Sequence, residues 1–181
     1  DVHAALARRH DGHAPGVAVE GGPRANAQFL NVRGLSGPRV LLVVDGARQN
    51  FLGGHRSSLL VDPELLKQVE LLRGPASALW GSDALGGVVA LRTKDAQDLL
   101  QPGEQLAARM RMGYESVSGE QVGSGIGAFR LGDFDSVLSL VRRRADDYEL
   151  ADGSTQANSG QGVDGQLAKF SWLPEGTAHS L

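Results

Sequence analysis

Few of the 181 residues are of the kind that do chemistry, and fewer are spaced for it. Cysteine is absent, which removes thiolate metal sites and any disulfide framework. His10 and His13, in His10-Asp11-Gly12-His13, have the spacing of a two-imidazole pair, but two ligands alone are weak grounds for a metal centre. His3 sits with them near the chain start and reads as solvated, and His179 carries no assignment. Arg142-Arg143-Arg144 offers three guanidiniums to an anion, yet in an alternating strand only Arg142 and Arg144 share a face. Carboxylates are plentiful, but nothing sets two of them across a cleft. The sequence has no G-x-x-x-x-G-K-[ST] phosphate loop, no G-x-S-x-G elbow and no H-E-x-x-H, and Gly123-Ser124-Gly125 precedes no helical pattern. Enzymatic chemistry is not what these residue types offer.

The elements that would position such residues follow from composition and pattern. Net charge is −3, too near neutral to argue for a nucleic-acid partner. Glycine supplies 25 residues, roughly twice the usual ~7%, so turns and close backbone approaches should be common. No segment approaches the ~20 apolar residues of a membrane helix. The longest strongly apolar run is Val40–Val44. Transmembrane barrels escape that test, because their strands alternate. The chain opens on Asp1 without an initiator Met or a leader, and Leu181 ends it as if another strand were starting. It reads as an internal piece of a longer protein.

The two halves differ in style. Up to about residue 100, short apolar strands alternate with short helical turns. Val2–Arg9 has helical spacing, and Val17–Glu20 and Gln28–Arg33 read as strands. Val40–Val44 is a continuous run to be buried on both faces and closed by Asp45-Gly46 turn chemistry. Asp62-Pro63-Glu64 reads as a helix opening, with Asp62 as N-cap and Pro63 in the first turn. Val69–Leu72 reads as a strand stopped by Gly74-Pro75, Ala76–Trp80 as one helical turn ended by Gly81, and Val88–Thr93 as a further strand.

From about residue 104 the pattern has period two. Leu106, Ala108, Met110, Met112 and Tyr114 fall on one face of a strand over Gln105–Val117, and Arg109, Arg111 and Glu115 on the other. Ser118-Gly119 turns into Gln121–Leu131, whose Gly123, Gly125 and Gly127 share a face. Gly132-Asp133 turns into Ser136–Arg144. A long polar stretch, 146–162, carries Asp146, Asp147, Glu149 and Asp152 before a fourth strand, Val163–Trp172. Such strands suit a transmembrane barrel, with Tyr114, Tyr148 and Trp172 as interfacial aromatics and Arg142–Arg144 as lumen or rim charges. A soluble antiparallel sheet fits the same alternation.

Asn31-Val32-Arg33-Gly34-Leu35, then Val40–Gly46, then Asp62-Pro63-Glu64 leading into Glu70–Val89 (ELLRGPASALWGSDALGGVV) together resemble the plug domain of TonB-dependent outer-membrane receptors over roughly residues 15–95. Asp45–Arg56, Asp62–Gln68, Asp95–Leu100 and Arg130–Phe134 resemble the heme and hemoglobin receptor branch. The resemblance implies an α+β plug domain over 1–100 followed, over 101–181, by about four antiparallel strands of an incomplete transmembrane β-barrel. It implies residence in the outer membrane of a Gram-negative bacterium, among its lipids. Its partners would be the TonB energy-transducing protein and heme or a heme carrier such as hemoglobin, heme being cargo rather than an intrinsic cofactor. Asp45, Gly46, Gly74, Pro75, Gly81, Gly86 and Gly87 carry the plug motif. Arg33 and Arg73 correspond to arginines that pair with barrel carboxylates. His55, in Gly53-Gly54-His55-Arg56, would point toward arriving ligand with an imidazole suited to heme iron. The alternatives are a receptor of the same kind for a ferric siderophore or cobalamin, and a soluble α/β binding module with an appended sheet.

Overall fold

A computed structural model of the chain describes residues 16–20, 29–49, 61–116, 119–150, 152–172 and 174. It separates into two compact units, one ending at Thr93 and the other beginning at Lys94.

The first unit holds two sheets. β1 (Val17–Glu20), β2 (Phe29–Val32) and β3 (Leu35–Ser36) form a three-stranded antiparallel sheet. β4 (Val40–Val44), β5 (Ala47–Arg48), β6 (Leu66–Arg73) and β7 (Gly87–Thr93) form a four-stranded sheet in the order β5-β4-β7-β6, with β4 and β7 parallel. β4 is apolar throughout because both its faces are covered. Leu41 and Val43 pack with Ala76, Ala84 and Val88. Val40, Leu42 and Val44 pack on the opposite side around Leu30, Val89 and Leu91. Each fully buried Val or Leu contributes about 1.5–3 kcal/mol.

Asp45-Gly46 makes the two-residue β4–β5 turn with φ of 46° and 83°, both left-handed, as the mirror-image hairpin turn demands. The helix expected after Asp62 does not continue. Asp62 does cap, its Oδ1 accepting from Glu64 N at 2.9 Å, but a single 3-10 turn over Pro63–Leu65 gives way at once to β6. β6 therefore starts three residues before the expected Val69, and its register shifts between Leu66 and Gln68. Pairing with β7 overrides local helical preference there. One helical turn, α1 (Ser77–Trp80), lies between β6 and β7, ended by Gly81 at φ 79°. The expected helix over Val2–Arg9 lies outside the described residues.

The second unit is an antiparallel meander of β8 (Leu106–Glu115), β9 (Glu120–Leu131), β10 (Phe134–Ala145) and β11 (Gln161–Trp172), in the order β11-β10-β9-β8. Gly132 at φ 58° opens the two-residue turn between Leu131 and Phe134. A 3-10 turn over Ala96–Asp98, with Asp95 and Asp98 completing a reciprocal cap, packs against β9 and β10. Ala96 and Leu100 are buried there, and Lys169 on β11 reaches Asp95 at 2.5 Å.

Candidate functional site

The motif residues of the first unit form a stapled loop. At its neck Gly74 N donates to Gly86 O at 3.1 Å, and Ala76 N donates to Ala84 O at 2.9 Å. Gly74 needs its φ of 105°, and a Cβ on Gly87 would lie 2.3 Å from the Leu72 carbonyl oxygen. Gly86 is also crowded, with a Cβ position 2.8 Å from Leu35 Cβ, and its N–H donates to Arg39 O at 2.8 Å. Pro75 is exposed at the neck. Arg48, from β5, holds the far side: it donates to Ser82 O at 2.5 Å, lies 3.5 Å from the Asp83 carboxylate and crowds Gly81. The loop presents Leu79, Leu85 and Trp80 outward.

Asp45 locks the same unit from the other end. Its Oδ1 accepts from Thr93 N at 2.8 Å, its Oδ2 from the Thr93 hydroxyl, and its own N–H donates to Leu91 O at 2.9 Å. Thr93 is fully buried, so these bonds satisfy groups that water does not reach. Arg33 and Arg73 are both exposed. Arg33 turns in the left-handed region at φ 53°, its N–H donating to Gly16 O, and its Nη1 lies 3.8 Å from where a Cβ on Gly74 would sit. The Arg33 guanidinium thus reaches the neck residue that follows Arg73. His55, with His3, His10, His13 and His179, lies outside the described residues. Among the described residues no cluster of three His, Cys, Asp or Glu is placed to hold a metal.

The second unit sorts its side chains by face. The strand registers put Leu106, Ala108, Met110, Met112 and Tyr114 of β8 beside Phe129, Gly127, Gly125, Gly123 and Gln121 of β9. The same face continues through Phe134, Leu138 and Leu140 of β10 and Ala168, Phe170 and Trp172 of β11. These large apolar groups are exposed, Met112 at 82% and Phe170 at 72%, and Phe134 stacks on Trp172 with centroids 6.3 Å apart. Arg142 and Arg144 end this face, both directed at Asp164, as the alternation requires. Tyr114 lies in their row. Arg109, Arg111 and Glu115 lie on the opposite face with Arg143. Arg143 pairs with Glu120, which also accepts from Gln161 at 3.0 Å. Arg130 grips Asp135 in a bidentate pair at 2.7 and 2.8 Å.

The acidic stretch between β10 and β11 is solvent-exposed, as such runs are, and is also internally hydrogen-bonded. Tyr148 N donates to Ser159 Oγ, and Glu149 bridges to Thr155. Backbone N–H groups of Gly160, then of Ser159 and Asn158, hold the Asp147 carboxyl below its usual range. The Ser154 hydroxyl and N–H do the same for Asp152. Pattern reading missed Arg48, Thr93, Glu120, Asp164 and the Asp95–Lys169 pair. Only Arg48 had a local signal, its place just beyond a two-residue turn.

Residues 10–88 match the TonB-dependent receptor plug domain family. Over 159 residues, 87% of this chain, it is 41% identical to the heme/hemopexin utilization protein C of Haemophilus influenzae (strain 86-028NP), and it is 39% identical to the hemin receptor of Yersinia pestis over 161 residues. The chain spans 22% and 23% of those proteins' lengths. Among solved structures, the FrpB iron transporter of Neisseria meningitidis (F5-1 variant, apoprotein) superposes with a TM-score of 0.79 at 26% identity, over 97% of this chain and 27% of that one. The Serratia marcescens hemophore receptor HasR, solved in complex with its hemophore HasA and heme, gives 0.74 at 26% identity over 88% of this chain and 25% of its own.

Proposed function

Because the chain belongs to the TonB-dependent receptors, carrying their plug domain over residues 10–88, we propose that the full-length protein is an outer-membrane receptor that takes up heme iron and is energised by TonB from the inner membrane. The observation that carries the membrane part is the one-sided sheet of the second unit. Its apolar face runs from Phe134 to Arg142, roughly 27 Å along the strand, or roughly 21 Å once a tilt of about 40° is applied. An outer-membrane barrel presents an apolar band of about 25 Å to lipid. In this reading residues 1–100 are the plug and 101–181 the first strands of the wall. Arg33 and Arg73 offer planar forks to carboxylates of strands further along the protein.

The cargo reading rests on the named relatives, one a heme/hemopexin utilization protein and one a hemin receptor. Heme titration of the full-length receptor tests it. A Soret shift that weakens in His55→Ala supports heme uptake with His55 as iron ligand. A shift unchanged in that variant removes the ligand role alone. No spectral change with heme, beside tight binding of a ferric siderophore, replaces the cargo; the FrpB likeness, to an iron transporter, keeps that second reading in view. Recovery of the protein in the soluble cytoplasmic fraction would instead leave only the soluble-module reading.

A further inference from the structure

We propose that the Arg142/Arg144 end of the apolar face is a binding site for the phosphate of an anionic outer-leaflet lipid, with an acyl chain laid along the trough over Gly123, Gly125 and Gly127. The inference rests on the second unit being a membrane wall.

An open depression of about 630 Å³ lies on this face, floored by Gly123 and flanked by Met112 and Tyr114 on one side and Arg142 and Arg144 on the other. It is a shallow depression open to the surround along its length, a shape that suits a chain lying on the face rather than an enclosed small molecule. The trough continues along the strand, because the registers set Gly125 between Met110 and Leu140 and Gly127 between Ala108 and Leu138. A Cβ on Gly123 would meet nothing within 4 Å. On a lipid-facing surface such space is filled by hydrocarbon rather than water.

The charge at its head favours an anion. Two guanidiniums face a single carboxylate: Arg144 Nη2 lies 2.6 Å from Asp164 Oδ2, and Arg142 Nε lies 3.6 Å from Oδ1. One positive charge is left over. Arg144 is further occupied by the carbonyls of Arg143 and Val163. Arg142 makes no other polar contact among the described residues and is 74% exposed, so its fork is open to the paired oxygens of a phosphate.

The position fits a headgroup. The Gly132-Asp133 turn closes one end of the sheet, and the longer 146–160 connection lies at the other, beyond Arg144. In outer-membrane barrels the short turns face the periplasm and the longer loops face outward, which puts Arg142 and Arg144 at outer-leaflet depth. Tyr114, in the same row, has the amphipathic ring of an interfacial residue.

The test uses the full-length receptor, delipidated in detergent and titrated with diphosphorylated lipid A, with native mass spectrometry reading retained lipid. Arg142→Gln/Arg144→Gln should weaken retention roughly tenfold or more, through loss of charge-assisted bonds. Gly123→Leu, whose Cβ enters open space and whose side chain then occupies the trough, should weaken it while leaving the fold intact. Lys169→Gln, on the opposite face, should change nothing. Lipid retention equal to wild type in both the arginine and glycine variants would overturn the site. So would displacement of the lipid by equimolar inorganic phosphate, or equal retention of a dephosphorylated analogue. A receptor absent from the outer membrane would defeat the wall reading instead, so the two failures are distinguishable.

Discussion

The two units use apolar side chains in opposite ways. In the first, they meet one another. β4 buries Leu41 and Val43 against one group of neighbours and turns Val40, Leu42 and Val44 toward another, while Asp45, on the exposed turn, reaches in to accept from the buried Thr93. In the second, a whole face of large side chains is left exposed: Leu106 is 75% exposed, Met110 78% and Tyr114 70%. Both units are built from alternating or apolar strands, so pattern fixes which face is apolar but not what covers it. The first carries its own core. The second needs an apolar surround and partners for the outer edges of β8 and β11.

The largest effect that would break this contrast is solubility. In detergent-free buffer the 181-residue polypeptide is expected to self-associate through the second unit, and to disperse in micelles, as read by size-exclusion light scattering. A monodisperse monomer without detergent, melting cooperatively, would remove the distinction.

One substitution made in both units sharpens it. Gly87→Ala should destabilise the first unit by roughly 3 kcal/mol, since its Cβ would overlap the Leu72 carbonyl and φ is 147°. Gly123→Ala should shift stability by less than about 0.5 kcal/mol. Denaturant titration in detergent, followed by amide exchange in β7 and β9, measures both.

Asp45→Ala should cost about 2 kcal/mol by leaving the buried Thr93 N–H and hydroxyl without their acceptor, and Asp45→Asn, which keeps an acceptor and tolerates the left-handed turn, distinctly less. Equal losses in the two variants would locate the effect in the carboxylate charge rather than in an acceptor that an amide also supplies.

The smallest effect is confined to the loop after β10. The Asp147 carboxyl is depressed in the folded protein, so its contribution to loop order is fully present above the ordinary aspartate value of about 3.9 and is lost as pH falls through the lower folded value. Protection of the Gly160 and Asn158 amides should therefore hold at neutral pH, vanish in strong acid, and vanish at neutral pH in Asp147→Ala.

The strand faces were the most legible part of the fold, because period two needs only neighbours in sequence. The assignments of Met110, Met112 and Tyr114 to one face, and of Arg142 and Arg144 to a face opposite Arg143, follow from alternation within each strand; only the registers show that these are the same face, which leaves Arg143 alone of the three on the other side. The motif glycines were legible as turns, but their reasons were not. Gly87 answers to Leu72, Gly86 to Leu35 and Gly81 to Arg48, contacts that no local window contains. Leu66-Lys67-Gln68 misled because Asp62-Pro63 is a sound helix start, while the strand that overrides it lies beyond α1. The clamp of Asp45 on Thr93 spans 48 residues and leaves no trace in local composition.

The short segment after Thr93 has a mechanical meaning. Its capped turn, its buried Ala96 and Leu100, and the Asp95–Lys169 pair fasten residues 95–100 to the strand sheet. Tension drawn along the backbone from the first unit reaches this fastening before it reaches β8. The segment therefore serves as a mooring: residues 95–100 are tied to the strand sheet by contacts that do not depend on the packing of the first unit.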